Sequence, residues 1–180
     1  MSDLGLLSVV LGLGVSVPQL YALANPGGFA RLARQFPRSL GWGYVLMALG
    51  TAGFLYNLSL ESVADFAPYK RWMYLGFAAV GILSCLYVRD FLAVRGLAIV
   101  LLLLAKLMVD TAHWADSLWR LVIVVWAYAL VLAGIWLTVS PWRMRDLINW
   151  AVATDNRTRI LAVCRLVFGL FVALLGFTVF

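Results

Sequence analysis

Charge is scarce in this chain: only 12% of its 180 residues are Asp, Glu, Lys or Arg, against about 25% in a typical soluble domain. Histidine occurs once, at His113, and cysteine twice, at Cys85 and Cys164, without the Cys-x-x-Cys spacing of a redox pair or zinc site. A single imidazole cannot give a haem both of its axial ligands within one chain. There is no phosphate-binding Gly-rich loop ending in Lys-Ser/Thr, no His-Glu-x-x-His helix and no Gly-x-Ser-x-Gly elbow. Hydrolase and nucleotide chemistry therefore have no footing, and the sequence offers no catalytic residue, metal site or cofactor.

What the chain has is apolar length. Hydrophobic residues make up 64% of it, more than a water-soluble fold of this size can bury. A helix needs about 20 apolar residues to cross the bilayer core, and six runs approach that length between charged positions. They are residues 4–23, 40–60, 72–88, 96–112, 118–139 and 160–180. The expected fold is all-α: a polytopic integral membrane protein forming a single transmembrane domain over 1–180, with six transmembrane helices arranged as helical hairpins. The third and fourth runs are separated only by "VRDFLAVRG". As one helix, Trp72 to Val109 would measure roughly 57 Å, nearly twice the hydrocarbon thickness, and would bury Arg89 and Asp90 at mid-membrane. A turn at the interface is cheaper. Ala22-Leu23-Ala24 resembles a signal cleavage site, but the leader carries Asp3 and no Lys or Arg, so the first run is read as a retained span.

The basic residues alternate between sides. Arg31, Arg34 and Arg38, then Arg89 and Arg95, then Arg143, Arg145, Arg157 and Arg159 occupy alternate loops, while Asp3, Glu61, Asp65, Asp110 and Asp116 fall on or near the other side. Short loops rich in Lys and Arg stay in the cytoplasm. The expectation is a bacterial inner membrane protein with both termini outside, its net charge of +6 serving topology, with no nucleic-acid partner. Trp42, Trp142 and Trp150 fall near the inner boundary and Trp72, Trp114 and Trp119 near the outer one, as interfacial tryptophans do. "NPGGFARLARQFPRS" and "SPWRMRDLINWAVATDNRTR" each read as a short amphipathic piece on the inner leaflet, and their arginines Arg31, Arg34, Arg38, Arg143, Arg145, Arg157 and Arg159 as lipid or partner contacts. The two segments follow Asn-Pro and Ser-Pro steps, a loose internal echo.

Two places inside the runs carry polar character. Pro18-Gln19 in the first run is a candidate helix break, since proline leaves the Gly14 carbonyl without its helical donor; Gly12, Gly14 and Ser16 beside it offer small surface for a neighbouring helix. "AKLMVDTAHW" in the fourth run carries the candidate polar cluster Lys106, Asp110, His113 and Asp116. With entry at Gly96, Lys106 would lie about 15 Å along the helix, near the midplane. Intramembrane Lys, Asp and His often mark ion or proton paths. The structural reading is that Lys106 and Asp110 pair, His113 sits at the outer water boundary and Asp116 caps the next helix. The resulting expectation for function is a non-catalytic accessory or structural subunit, packing against lipid and other membrane protein subunits. The alternative is a small transporter or channel, proton-coupled through Lys106, Asp110 and His113.

Overall fold

The computed structural model describes residues 2–61 and 68–180; Asp65, placed above among the outer-side acids, lies outside them. The described residues are all-helical apart from short connections, with no strand. The helices are α1 (Asp3–Ala24), α2 (Pro26–Gln35), α3 (Leu40–Leu60), α4 (Lys70–Tyr87), α5 (Leu92–His113), α6 (Arg120–Val139), α7 (Arg143–Ala151) and α8 (Asp155–Thr178), with a 3₁₀ turn at Phe36–Arg38.

Local chemistry sets several of these boundaries. Ser2 Oγ accepts the Gly5 amide at 3.0 Å, Ser39 Oγ that of Trp42 at 3.4 Å and Thr154 Oγ1 that of Arg157 at 3.3 Å, each satisfying a donor that a helix start leaves open. Thr154, with Asp155 in the first turn, starts α8 five residues before the apolar run at Ile160. Asn25 Oδ1 accepts the Gly28 amide at 2.9 Å, and Pro26 stands at the first position of α2, where a missing N–H costs nothing.

Among the described residues, α1, α3, α5, α6 and α8 are long and apolar enough to cross a membrane. The third expected span is helical as α4 but falls short of that standard. Its 18 residues begin with Lys70 and Arg71, leaving Trp72–Tyr87, about 24 Å of helix against a hydrocarbon core of about 30 Å. Five of the six expected spans thus stand on length and composition.

The chain forms two compact units. One comprises Met1–Gln35, Leu104–Val131 and Arg145–Phe180, the other Phe36–Leu103 and Leu132–Met144. In the first unit the most extensive packing joins the first and last helices, α1 and α8. They run antiparallel, with Gly5 facing Gly176 and Gly12 facing Gly169. A Cβ at Gly176 would stand 2.6 Å from the Gly5 carbonyl oxygen, and one at Gly5 2.9 Å from that of Gly176. The backbones therefore touch directly, as small residues permit between membrane helices. The Ser2 amide closes the pair on the Phe180 carbonyl at 3.3 Å. Around it lies an apolar core of Leu4, Ala105, Met108, Ala112, Ile123, Ala127 and Val172, with Trp126 edge-on to Phe168 at 5.2 Å.

In the second unit α3 carries α4 on one side and the first half of α5 on another. Gly81 of α4 meets Thr51, and Phe77 stacks on Phe54 at 4.5 Å. Gly43 and Gly50 lie under Leu92 and Ile99, while Gly96 lies against the Met47 amide. Gly96 is thus an interface residue inside α5, and the helix begins four residues earlier than the apolar run, after Phe91 turns the chain with a positive φ of 56°. Arg95, expected in the loop, is consequently one turn inside α5.

Candidate functional site

The polar cluster of "AKLMVDTAHW" belongs to the first unit. Lys106 Nζ donates to Asp110 Oδ2 at 2.7 Å, an i,i+4 ion pair on one face of α5. Because α5 starts at Leu92 and ends at His113, Lys106 stands about 21 Å along the helix and about 10 Å from its C-terminal end, past the helix middle where the sequence placed it. Leu104, Ala105, Leu107, Met108 and Val109 are the apolar neighbours of the pair along the same helix, and a surrounding medium of low polarity strengthens the attraction. Both side chains remain substantially exposed.

Beyond Asp110 the strip does not continue as a network. His113 is the last residue of α5, exposed and set edge-on to Trp114 at 5.3 Å. Asp116 is exposed, and the capping role expected of it falls to Ser117, whose Oγ accepts the Trp119 amide at 3.2 Å. The reason is reach: the hydroxyl two residues back from Trp119 closes a tight local turn. Arg120 terminates α5 instead, donating to the carbonyls of Ala115 at 2.7 Å and His113 at 3.3 Å, a cation on the negative end of the helix. Of the four cluster residues, then, only Lys106 and Asp110 are brought together.

Asp110 does open onto a cleft of about 430 Å³, lined by Ser2, Asp3, Leu4, Thr111, Trp114 and Ala115 as well. The start of α1 forms one wall and the end of α5 the other. Asp3 joining Asp110 here is a tertiary outcome with no signal in the linear sequence, where the two are separated by 107 positions. Thr111 donates its hydroxyl to the Leu107 carbonyl at 2.7 Å and so is committed to its own helix. Among the described residues, no three His, Cys, Asp or Glu side chains converge as a metal-binding set, and His113 hydrogen-bonds no candidate nucleophile.

The helix break expected at Pro18-Gln19 does not open: α1 is continuous from Asp3 to Ala24. Gln19 is buried and turns its amide back to the Val15 carbonyl at 3.1 Å. Gly14, whose carbonyl loses its donor to Pro18, faces open space, with nothing within 4 Å of where a Cβ would stand. Ser8 and Ser16 are buried on the α8-facing side without a hydrogen-bond partner, as is the Gln19 carbonyl oxygen.

The arginines of α2, α7 and their neighbouring turns separate into distinct roles. Arg34 donates to the Val152 carbonyl at 3.0 Å, tying α2 to the chain just past α7. Arg157 donates to the Trp150 carbonyl at 3.2 Å and lies over the Trp150 ring at 5.2 Å. Arg145 pairs with neighbouring Asp146 at 3.2 Å. Arg31, Arg38, Arg143 and Arg159 are exposed. Leu32, Leu147 and Trp150 are exposed as well, so α2 and α7 each carry a mixed apolar and basic surface. No family model, curated protein or solved structure matches the chain.

Proposed function

We propose that this chain is a six-span protein of the bacterial inner membrane with both termini outside, serving as a non-catalytic accessory or structural subunit of a membrane protein assembly. The observation that carries the reading is the apolar surface left uncovered along the helices. Val80, Ile82 and Leu86 on α4 and Val125, Leu132 and Val139 on α6 are all more than half exposed. An open apolar surface of this kind belongs against lipid or another protein. For α4 it supports a sixth span, with Lys70 and Arg71 reaching to the outer headgroups and Arg89 to the inner ones. Even-numbered crossing keeps residues 31–38, 89–95 and 143–159 on one side, which the charge bias makes the cytoplasm.

The alternative, a small proton-coupled transporter using Lys106, Asp110 and His113, draws on the opening of Asp110 into the outer cleft. It needs a path inward from that cleft, and the buried polar atoms of α1 sit where helix backbones are in contact, a poor lining for a conduit.

Reporter fusions test the topology: positions after Arg38, Arg89 and Arg157 should read as cytoplasmic, and positions after Asp65 and at Phe180 as external. A cytoplasmic Phe180 means five spans. Isolation from native membranes in mild detergent tests the role. A partner recovered at constant stoichiometry supports the subunit reading; a chain that purifies alone and conducts protons in vesicles, with Asp110→Asn abolishing the flux, replaces it with the transporter.

A further inference from the structure

In the first unit α2 packs against α8, and the chain leaves little freedom in where that corner lies. Asn25 alone separates α1 from α2, and Arg157 and Arg159 of α8 are followed at once by the apolar run from Ile160. Both α1 and α8 are long and apolar enough to cross a membrane, so in a bilayer the corner is held at the level of the headgroups. Arg34 fastens α2 to the Val152 carbonyl at 3.0 Å, and Arg157 lies over the Trp150 ring at 5.2 Å. These contacts hold α2, the end of α7 and the start of α8 together. Exposed apolar side chains stand on both short helices, Leu32 beside Arg31 and Leu147 one turn before Trp150. The charge is one-sided. Once Arg145 has paired with Asp146 at 3.2 Å, Arg31, Arg34, Arg157 and Arg159 stand against one acid across residues 25–35 and 145–160, Asp155. That carboxylate lies in the first turn of α8, where the helix end itself favours it. Arg31 and Arg159 are exposed and make no hydrogen bond or ion pair among the described residues.

We propose that this corner binds anionic phospholipid, Arg31 and Arg159 holding headgroup phosphates while Leu32, Leu147 and Trp150 enter the upper acyl region. The inference rests on the membrane embedding in the reading above and is independent of the number of spans. Two features select lipid over an acidic protein. An acidic protein would match the charge alone, whereas a leaflet of anionic lipid matches the surplus of arginine and the exposed leucines and tryptophan together. The corner is also tethered on both flanks to spans, by a single residue at Asn25, which keeps it where phosphates lie and where an indole ring is favoured. A guanidinium with no protein partner presents its donors to phosphate oxygens in a planar fork. Arg34, committed to Val152, acts instead as the clip that holds α2 in place.

The test uses the full chain in phosphatidylcholine vesicles carrying a trace of photoreactive lipid, followed by mapping of the adducts. The diazirine sits beside the headgroup of either phosphatidylglycerol or phosphatidylcholine, and a separate probe carries it at the end of the acyl chain. Headgroup-probe yields on residues 26–35 and 145–152 are divided by those at exposed Trp114, beside the start of α1 and so at the other end of the unit. Phosphatidylglycerol should be favoured at the corner by at least about fivefold, the worth of one interfacial arginine. Arg31→Gln and Arg159→Gln should each lower that preference by about fivefold, whereas Arg31→Lys and Arg159→Lys should largely keep it, since the charge remains. All four positions of change are on exposed side chains, and a matching helical signal by circular dichroism verifies the fold. Equal labelling by the two lipids, or equal loss in the Gln and Lys variants, overturns the site. Absence of corner adducts also overturns it. In that case labelling of Val125 and Leu132 by the deep probe means that protein covers the corner, whereas no labelling there means that the membrane embedding itself has failed.

Discussion

Replacing Gly12 by alanine tests the contact between the first and last helices. The new Cβ would stand 2.6 Å from the Ala173 amide nitrogen and closer still to the Gly169 carbonyl oxygen. These are backbone atoms and cannot rotate away, so α8 must retreat by roughly 1 Å before ordinary carbon contacts of about 3.5 Å are restored. A gap of that size forfeits a quarter to a half of the dispersion attraction along the separated stretch, and overpacking of this kind costs about 1–3 kcal/mol. Alanine also gains about 1 kcal/mol over glycine in a helix interior, which obscures the effect if Gly12→Ala is compared with the native chain alone. Gly14→Ala, two residues away on the same helix with nothing within 4 Å, carries the same gain and none of the collision. The difference between the two variants therefore isolates the contact. Unfolding of the purified protein by sodium dodecyl sulfate in mixed micelles, followed by tryptophan fluorescence, should show Gly12→Ala less stable than Gly14→Ala by about 1–3 kcal/mol, or roughly 5- to 150-fold in the folded-to-unfolded ratio. Equal midpoints for the two variants would refute the antiparallel backbone contact.

The same assay applies to the ion pair on α5. Lys106→Met and Asp110→Asn each strand one charge in apolar surroundings, at up to about 2.5–3.5 kcal/mol, and the double variant should recover most of that loss; strictly additive losses would mean that the two charges act independently. Exchange of Arg31, Arg34 and Arg38 for lysine should preserve orientation, since charge is kept, whereas Arg34→Ala removes the bond to Val152 and should raise amide hydrogen exchange across residues 26–35. Unchanged protection there would show that α2 is held by its apolar contacts alone. Arg120→Met takes two carbonyl contacts from the end of α5, about 1.5 kcal/mol for a bond to a charged donor; faster exchange confined to residues 111–115 is the expected signature, and unaltered protection would assign that turn's order to Trp114 and Ala115 instead.

The spans were legible because membrane insertion is a local property. A stretch such as Gly96–Ala112 declares itself by its own apolar length, whatever surrounds it, and the limits of α1 and α3 lie within a residue of their runs. Capping shifts other limits: Thr154 starts α8 early, and the turn at Phe91 gives α5 four residues, among them the charged Arg95, that lie before the apolar run. Lys106 and Asp110 were equally readable as a pair, since a separation of four fixes their side on any helix. The shortness of α4 follows from Lys70 and Arg71 lying within its first turn.

Choice of partner was decided only in three dimensions. Gly12 and Gly14 are equivalent as letters, yet one faces the α8 backbone and the other open space. Asp3 and Asp110 share a cleft because the start of α1 meets the end of α5, and no spacing in the chain encodes that. The physical reason lies in the solvent. In hydrocarbon, apolar burial drives a helix into the membrane but scarcely distinguishes one neighbouring helix from another. Which helices meet depends on how closely two specific surfaces fit, and the facing pairs Gly5 with Gly176 and Gly12 with Gly169 match only once α1 and α8 lie antiparallel.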